Sequence, residues 1–239
     1  MNRKILVSMV CFFALTVSIS VNAYAGQVLT RQAPAGVAQP TLQEIRTSYA
    51  FDGFDLKGIN FLDQQLITAA NVRWVRTTQL GDQAWRNRYP TSWMWEAQRT
   101  VTRAGEFLNN NFAISLYAGN QRYWNHNLAN GSTSTTVLNN ARNQGLGDAT
   151  LMVAFTGLSV RDGGQNIMGA AFVGQPFSFV ACFGFDENAM TARHEIGHMY
   201  GLNHCSSTTC FMAAAARIGS FNQICATHRT QFQNNRLRY

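Results

Sequence analysis

The chain has 239 residues, 46% of them hydrophobic and 13% charged, and a formal net charge of +7. That length can bury a full core as one domain with an N-terminal extension. The basic residues are scattered, without a like-charge block or an aromatic-basic motif, which argues against a nucleic-acid partner.

In chain order, residues 1–25 open with Arg3 and Lys4, run apolar from Leu6 to Ile19 and end on Ala23-Tyr24-Ala25. A basic start, an apolar run and a small-x-small end mark a cleaved export signal, so the mature chain is expected to begin at Gly26, secreted or periplasmic. Cys11 lies inside that run and leaves with it. No other stretch is long and apolar enough for a membrane span, so no transmembrane anchor is expected. Residues 26–42, with Pro34, Gly36 and Pro40, read as a flexible lead-in, and Phe51-Asp52-Gly53-Phe54-Asp55 reads as an acidic turn. We assign 26–70 to an N-terminal extension or pro-segment and 71–239 to the catalytic domain.

From residue 71 the pattern alternates strand and helix. Val72 to Arg76 alternates like a half-buried strand, and Trp93 to Asn109 places Trp93, Ala97, Val101, Ala104 and Leu108 on one helical face. Phe112–Tyr117 predicts a second strand, Thr135–Asn143 a short helix and Ala149–Phe155 a central strand. A further strand, Phe177–Cys182, leads toward the next helix. This order predicts an α/β fold with a mixed, mostly parallel sheet.

The chemistry is concentrated in His194-Glu195-Ile196-Gly197-His198-Met199-Tyr200-Gly201-Leu202-Asn203-His204. On a helix His194 and His198 lie one turn apart on one face and can hold one metal ion. Gly201 allows the reversal that brings in His204 as a third ligand. Three imidazoles with one open position describe a catalytic zinc site, where bound water has a pKa of about 7. Glu195 is then the general base. Asp186 and Glu187 are expected to complement the positive end of this helix.

With Met212 eight residues after His204, the run His204-Cys205-Ser206-Ser207-Thr208-Thr209-Cys210-Phe211-Met212 resembles the metzincin zinc metalloproteases, and most of all the archaemetzincins. The resemblance implies a methionine turn with Met212 as an apolar floor under the metal and, together with the export signal, a secreted zinc endopeptidase acting on protein or peptide. It also implies that an edge strand before the active helix pairs with extended substrate, so Phe179 to Cys182 would form the upper rim. Phe177 and Phe179 read equally well as core or surface residues on alternate faces. Arg217, after Ala213 to Ala216, would lie in the wall of a substrate pocket. A pro-segment ligand, if present, would be an aspartate of the Phe51–Asp55 turn, since no cysteine lies between 26 and 181.

Cys182, Cys205, Cys210 and Cys225 remain after export. An oxidising compartment favours two disulfides, with Cys210–Cys225 and Cys182–Cys205 as the preferred pairs. The competing reading is a second, structural zinc held by Cys205, Cys210, Cys225 and His228. Phe221, Ile224, Cys225, His228 and Phe232 predict an amphipathic C-terminal helix beneath the site. A monomer is expected. Two alternatives to a general protease are a zinc-holding binding or adhesion module without turnover and a toxin-like protease with one target.

Overall fold

The computed structural model describes residues 72–214 and 223–239. The export signal, the lead-in, the Phe51–Asp55 turn, Arg217 and Phe221 lie outside the described residues.

Strand β1 (Arg73–Asp82) is followed by a short helix α1 (Gln83–Arg88) and the long helix α2 (Trp93–Phe112). Next come β2 (Ile114–Trp124), α3 (Ser134–Arg142) and β3 (Leu151–Thr156). A small hairpin, β4 (Val160–Asp162) and β5 (Gln165–Ile167), leads to β6 (Gly169–Ala171) and β7 (Phe177–Ala181). Helix α4 (Phe185–Met199) carries the histidine motif, and α5 (Ala226–Asn235) closes the described chain.

The main sheet has the order β2-β1-β3-β7-β6; β6 alone runs antiparallel, pairing with β7, and the other neighbours are parallel. The predicted mixed, mostly parallel α/β fold is therefore observed. One sheet face packs Val75, Val153 and Phe155 against α2, α4 and Phe232 of α5, and the other packs Leu80, Met152, Ala154 and Phe179 against Val137, Leu138 and Ala141 of α3. Each fully buried Phe or Leu contributes about 1.5–3 kcal/mol to holding these layers together.

Trp93, Ala97, Val101, Ala104 and Leu108 all lie on the buried face of α2, as predicted. The helix continues to Phe112 because Ala113 adopts the left-handed C-cap conformation (φ 51°), its N–H donating to the Asn109 carbonyl over 3.0 Å. The second strand accordingly begins at Ile114 and not at Phe112. Helix α5 starts at Ala226, later than the predicted apolar spacing, with Cys225 as its N-cap.

Buried Asp82 ties the far ends of the strands together. It caps α1 by accepting from the Trp85 N–H (2.6 Å), and it also accepts from Gly157 N–H (3.2 Å) and the Thr156 hydroxyl. The Leu128 N–H donates to His126 Nδ1 (3.1 Å), which leaves Nε2 to carry the proton toward Asp82 (3.3 Å). His126 is thus a loop anchor, in line with the absence of a spaced partner for it in the sequence.

Candidate metal centre

Helix α4 is buried from Asn188 through Met199, with Asp186 and Glu187 in its exposed first turn where they complement the N-terminal dipole. It ends at Tyr200. Gly201 then takes φ +92° and donates to the His198 carbonyl (2.8 Å), while Leu202 donates to the Gly197 carbonyl (3.1 Å). This reversal brings His204 back against the helix. The ring centroids of His194, His198 and His204 lie 4.7–5.2 Å apart, and their ligand nitrogens all fall within 4.8 Å of one another.

The tautomers follow from the surrounding backbone. His194 Nδ1 faces the Phe211 carbonyl at 2.8 Å and His198 Nδ1 faces the Leu202 carbonyl at 2.7 Å, so each Nδ1 carries the proton. Both Nε2 atoms are then lone-pair donors, yet they face each other at 3.0 Å. Two such lone pairs without a proton between them repel unless a cation joins them, so these residues fit a bound metal ion. Burial lowers the pKa of His194 to about 4, helped by the neighbouring His198, and burial also lowers that of His198. Both rings are therefore ready as neutral ligands at neutral pH. His204 is exposed and closes the open side of the triad.

Glu195 is 4% exposed, its Oε2 has no hydrogen-bond partner, and burial raises its pKa to about 8. Such an orphaned buried carboxylate suits a group that works on a proton and not one that holds the fold. Met212 is fully buried beneath the helix, its sulfur filling the space that a side chain at position 197 would need.

Phe179 to Cys182 do not form the exposed edge expected of them. Strand β7 has β3 on one side and β6 on the other, so Phe179 to Cys182 offer no free edge. Phe179 is fully buried in the α3-side core and does not line a substrate pocket. Among the described residues the edge strand on this side of the sheet is β6, short and made of Gly169, Ala170 and Ala171. A Cβ on Gly169 would lie 2.9 Å from Glu195 Oε1 and 2.6 Å from Thr191 Cγ2, so the edge runs directly beside the carboxylate. A glycine at this point of closest approach is the one sequence signal that could have pointed to β6.

The four cysteines are free, and neither preferred disulfide is formed. Cys182 ends β7, its sulfur 3.4 Å from the Tyr89 hydroxyl and 3.8 Å from Asn188 Nδ2. Instead Cys205, Cys210, Cys225 and His228 place their donor atoms within 4.8 Å of one another. Cys205 and Cys225 sulfurs are 3.6 Å apart, well beyond a disulfide bond of about 2.05 Å. His228 Nδ1 lies 3.3 Å from Cys225 Sγ and 3.5 Å from Cys210 Sγ. Three sulfurs around one imidazole nitrogen match the donor set of a closed structural zinc site.

Fold and donor sets together define a mixed α/β protein with two clusters able to hold metal ions. Neither a protein-family model nor a curated protein matches the chain. Among solved structures it is similar to archaemetzincin from Methanopyrus kandleri, with a TM-score of 0.52 and 14% identity over 67% of this chain and 94% of that one. It is also similar to metalloproteinase-II from Bacteroides fragilis, with a TM-score of 0.50 and 14% identity over 68% of this chain and 52% of that one. A chaperone-substrate complex matches with a TM-score of 0.52 and 15% identity, over 70% of this chain and 35% of that chain. At these identities the likeness establishes a shared fold.

Proposed function

We propose that this chain is an exported zinc-dependent endopeptidase. The observation that carries the reading is the pair of facing His194 and His198 Nε2 atoms, 3.0 Å apart, beside the unpartnered Glu195 Oε2. His194, His198 and His204 would hold the catalytic ion, and zinc, when bound, supplies Lewis acidity to water and to a peptide carbonyl. The solved relatives named archaemetzincin and metalloproteinase-II support that choice of chemistry.

Among the described residues β6 pairs on one side only, and its other edge binds an extended peptide main chain by adding a strand to the sheet, which sets the scissile amide next to Glu195. In its ionised form Glu195 accepts a proton from the attacking water as the carbon–oxygen bond forms, then returns it to the departing amine nitrogen as the carbon–nitrogen bond breaks. Its buried position keeps solvent from competing for that proton. Met212 and Phe211 hold the helix from below. The Cys205, Cys210, Cys225 and His228 cluster takes a second, structural zinc. Export follows from residues 1–25, with cleavage near Ala25.

Zinc content and cleavage of a denatured-protein mixture, measured side by side for the wild type and Glu195→Ala, test the reading. Bound zinc in both with cleavage by the wild type alone supports it. Bound zinc in both with cleavage by neither points to a binding module without turnover or to a protease with one target.

A further inference from the structure

The two donor clusters share one short piece of chain. Cys205 follows His204 directly, and Cys210 precedes Phe211, whose carbonyl orients His194. The Cys205 N–H donates to the Met212 carbonyl at 2.8 Å, closing residues 205–212 into a loop with one ligand of the sulfur cluster near each end. The other two ligands, Cys225 and His228, sit at the N-cap and in the first turn of α5. The His228 imidazole donates to the main-chain carbonyl of Asn203, the residue before His204. The Phe211 N–H reaches out of the loop to the Gln223 carbonyl at 2.9 Å. His204 itself is exposed, with its position set by the chain on either side of it.

We infer that Cys205, Cys210, Cys225 and His228 are positioning residues for the three-histidine site: an ion on the sulfur cluster fixes His204 and the Phe211 carbonyl, and so sets the affinity of the histidines for their own metal. With the sulfur cluster filled, both ends of the 205–212 loop are tied to α5, and the entropy of ordering His204 is spent before the second ion arrives. With it empty, three thiols and an imidazole crowd one space without a bond to join them, and the loop keeps its main-chain hydrogen bonds and the buried packing of Phe211 and Met212 but has no covalent or metal link to α5. Losing an outer contact to a metal ligand costs about 10- to 100-fold in metal affinity, and the same range is expected here. The inference rests on reading both clusters as metal sites.

The experiment uses the full mature chain, stripped of metal and titrated with Co2+, whose thiolate charge-transfer absorption reports the sulfur cluster separately from the histidines. The affinity of the histidine site is read by competition with a chelator in wild type, Cys225→Ser and His228→Cys. Cys225 is the N-cap of α5 and is not adjacent in sequence to any histidine of the triad. The wild type is expected to show the thiolate band at the first equivalent and to bind a second ion. Cys225→Ser is expected to lose the band and to hold the remaining ion about 10- to 100-fold more weakly. His228→Cys, which keeps a four-ligand cluster, is expected to hold both ions. An unchanged histidine-site affinity in Cys225→Ser overturns the coupling and leaves the metallopeptidase reading standing. One bound ion with no thiolate band in the wild type also overturns it, and no bound ion at all sinks the metallopeptidase reading as well. If circular dichroism shows Cys225→Ser unfolded, the wild type loaded with both ions is titrated with an organomercurial. Release of the histidine-bound ion together with the thiolate-bound ion supports the coupling, and its retention overturns it.

Discussion

Gly169 and Glu195 approach so closely that a single methyl group on the glycine would come within 2.9 Å of the carboxylate. The sheet edge and the proton-handling group are therefore one unit, although 26 positions separate them in the sequence. Replacing Gly169 by Ala should push the edge away from Glu195 while leaving all three histidines in place. Zinc content should stay at the wild-type level and kcat/KM on a peptide substrate should fall, by up to about 100-fold for a displacement near 1 Å. Full activity with normal zinc would remove β6 from the site.

Gly201 holds a φ of +92°, and a Cβ there would also meet Asn235 Nδ2 at 3.1 Å and Arg238 Nη2 at 3.2 Å. Gly201→Ala is expected to cost about 1–2 kcal/mol from the left-handed backbone alone. Urea denaturation should show the lowered midpoint. Zinc affinity should drop with it, because the turn delivers His204.

Phe232 is sandwiched between Phe112 and Tyr200, with ring centroids 4.4 and 4.7 Å away. It is the apolar anchor of α5 beneath the end of the motif helix. Phe232→Ala should cost about 3–5 kcal/mol of stability. A thermal shift of that variant no larger than that of an exposed control such as Leu237→Ala would show that α5 does not dock as described.

Thiol counting separates the cysteine arrangements. The mature chain, denatured without reductant but with a strong chelator, should yield all four thiols of Cys182, Cys205, Cys210 and Cys225. In the native, metal-loaded state the three cluster cysteines should react slowly and speed up when the chelator is added. A count of zero after denaturation would restore the two-disulfide reading.

The motif helix was legible because a four-residue period fixes which side chains share a face, and no tertiary information is needed to bring His194 and His198 together. Helix α2 and the core strands were legible for the same reason of periodicity. Strand β6 was not, since Gly169, Ala170 and Ala171 carry neither β-branched nor aromatic side chains and owe their extended form to pairing with β7. Missing it made β7 look like the rim, and with it Phe179 like a pocket residue. The cysteine pairing was hidden for another reason. Compartment argues for disulfides, but only the fold shows that Cys182 lies beside Tyr89 while the other three gather around His228.

The acceptors that aim His194 and His198 are the main-chain carbonyls of Phe211 and Leu202. A carbonyl survives any substitution of its residue, so ordinary side-chain mutations at 202 and 211 remove packing but never the acceptor itself. The orientation of these ligands is written into the path of the chain, and selection can alter the apolar lining of the site while the imidazoles keep their aim.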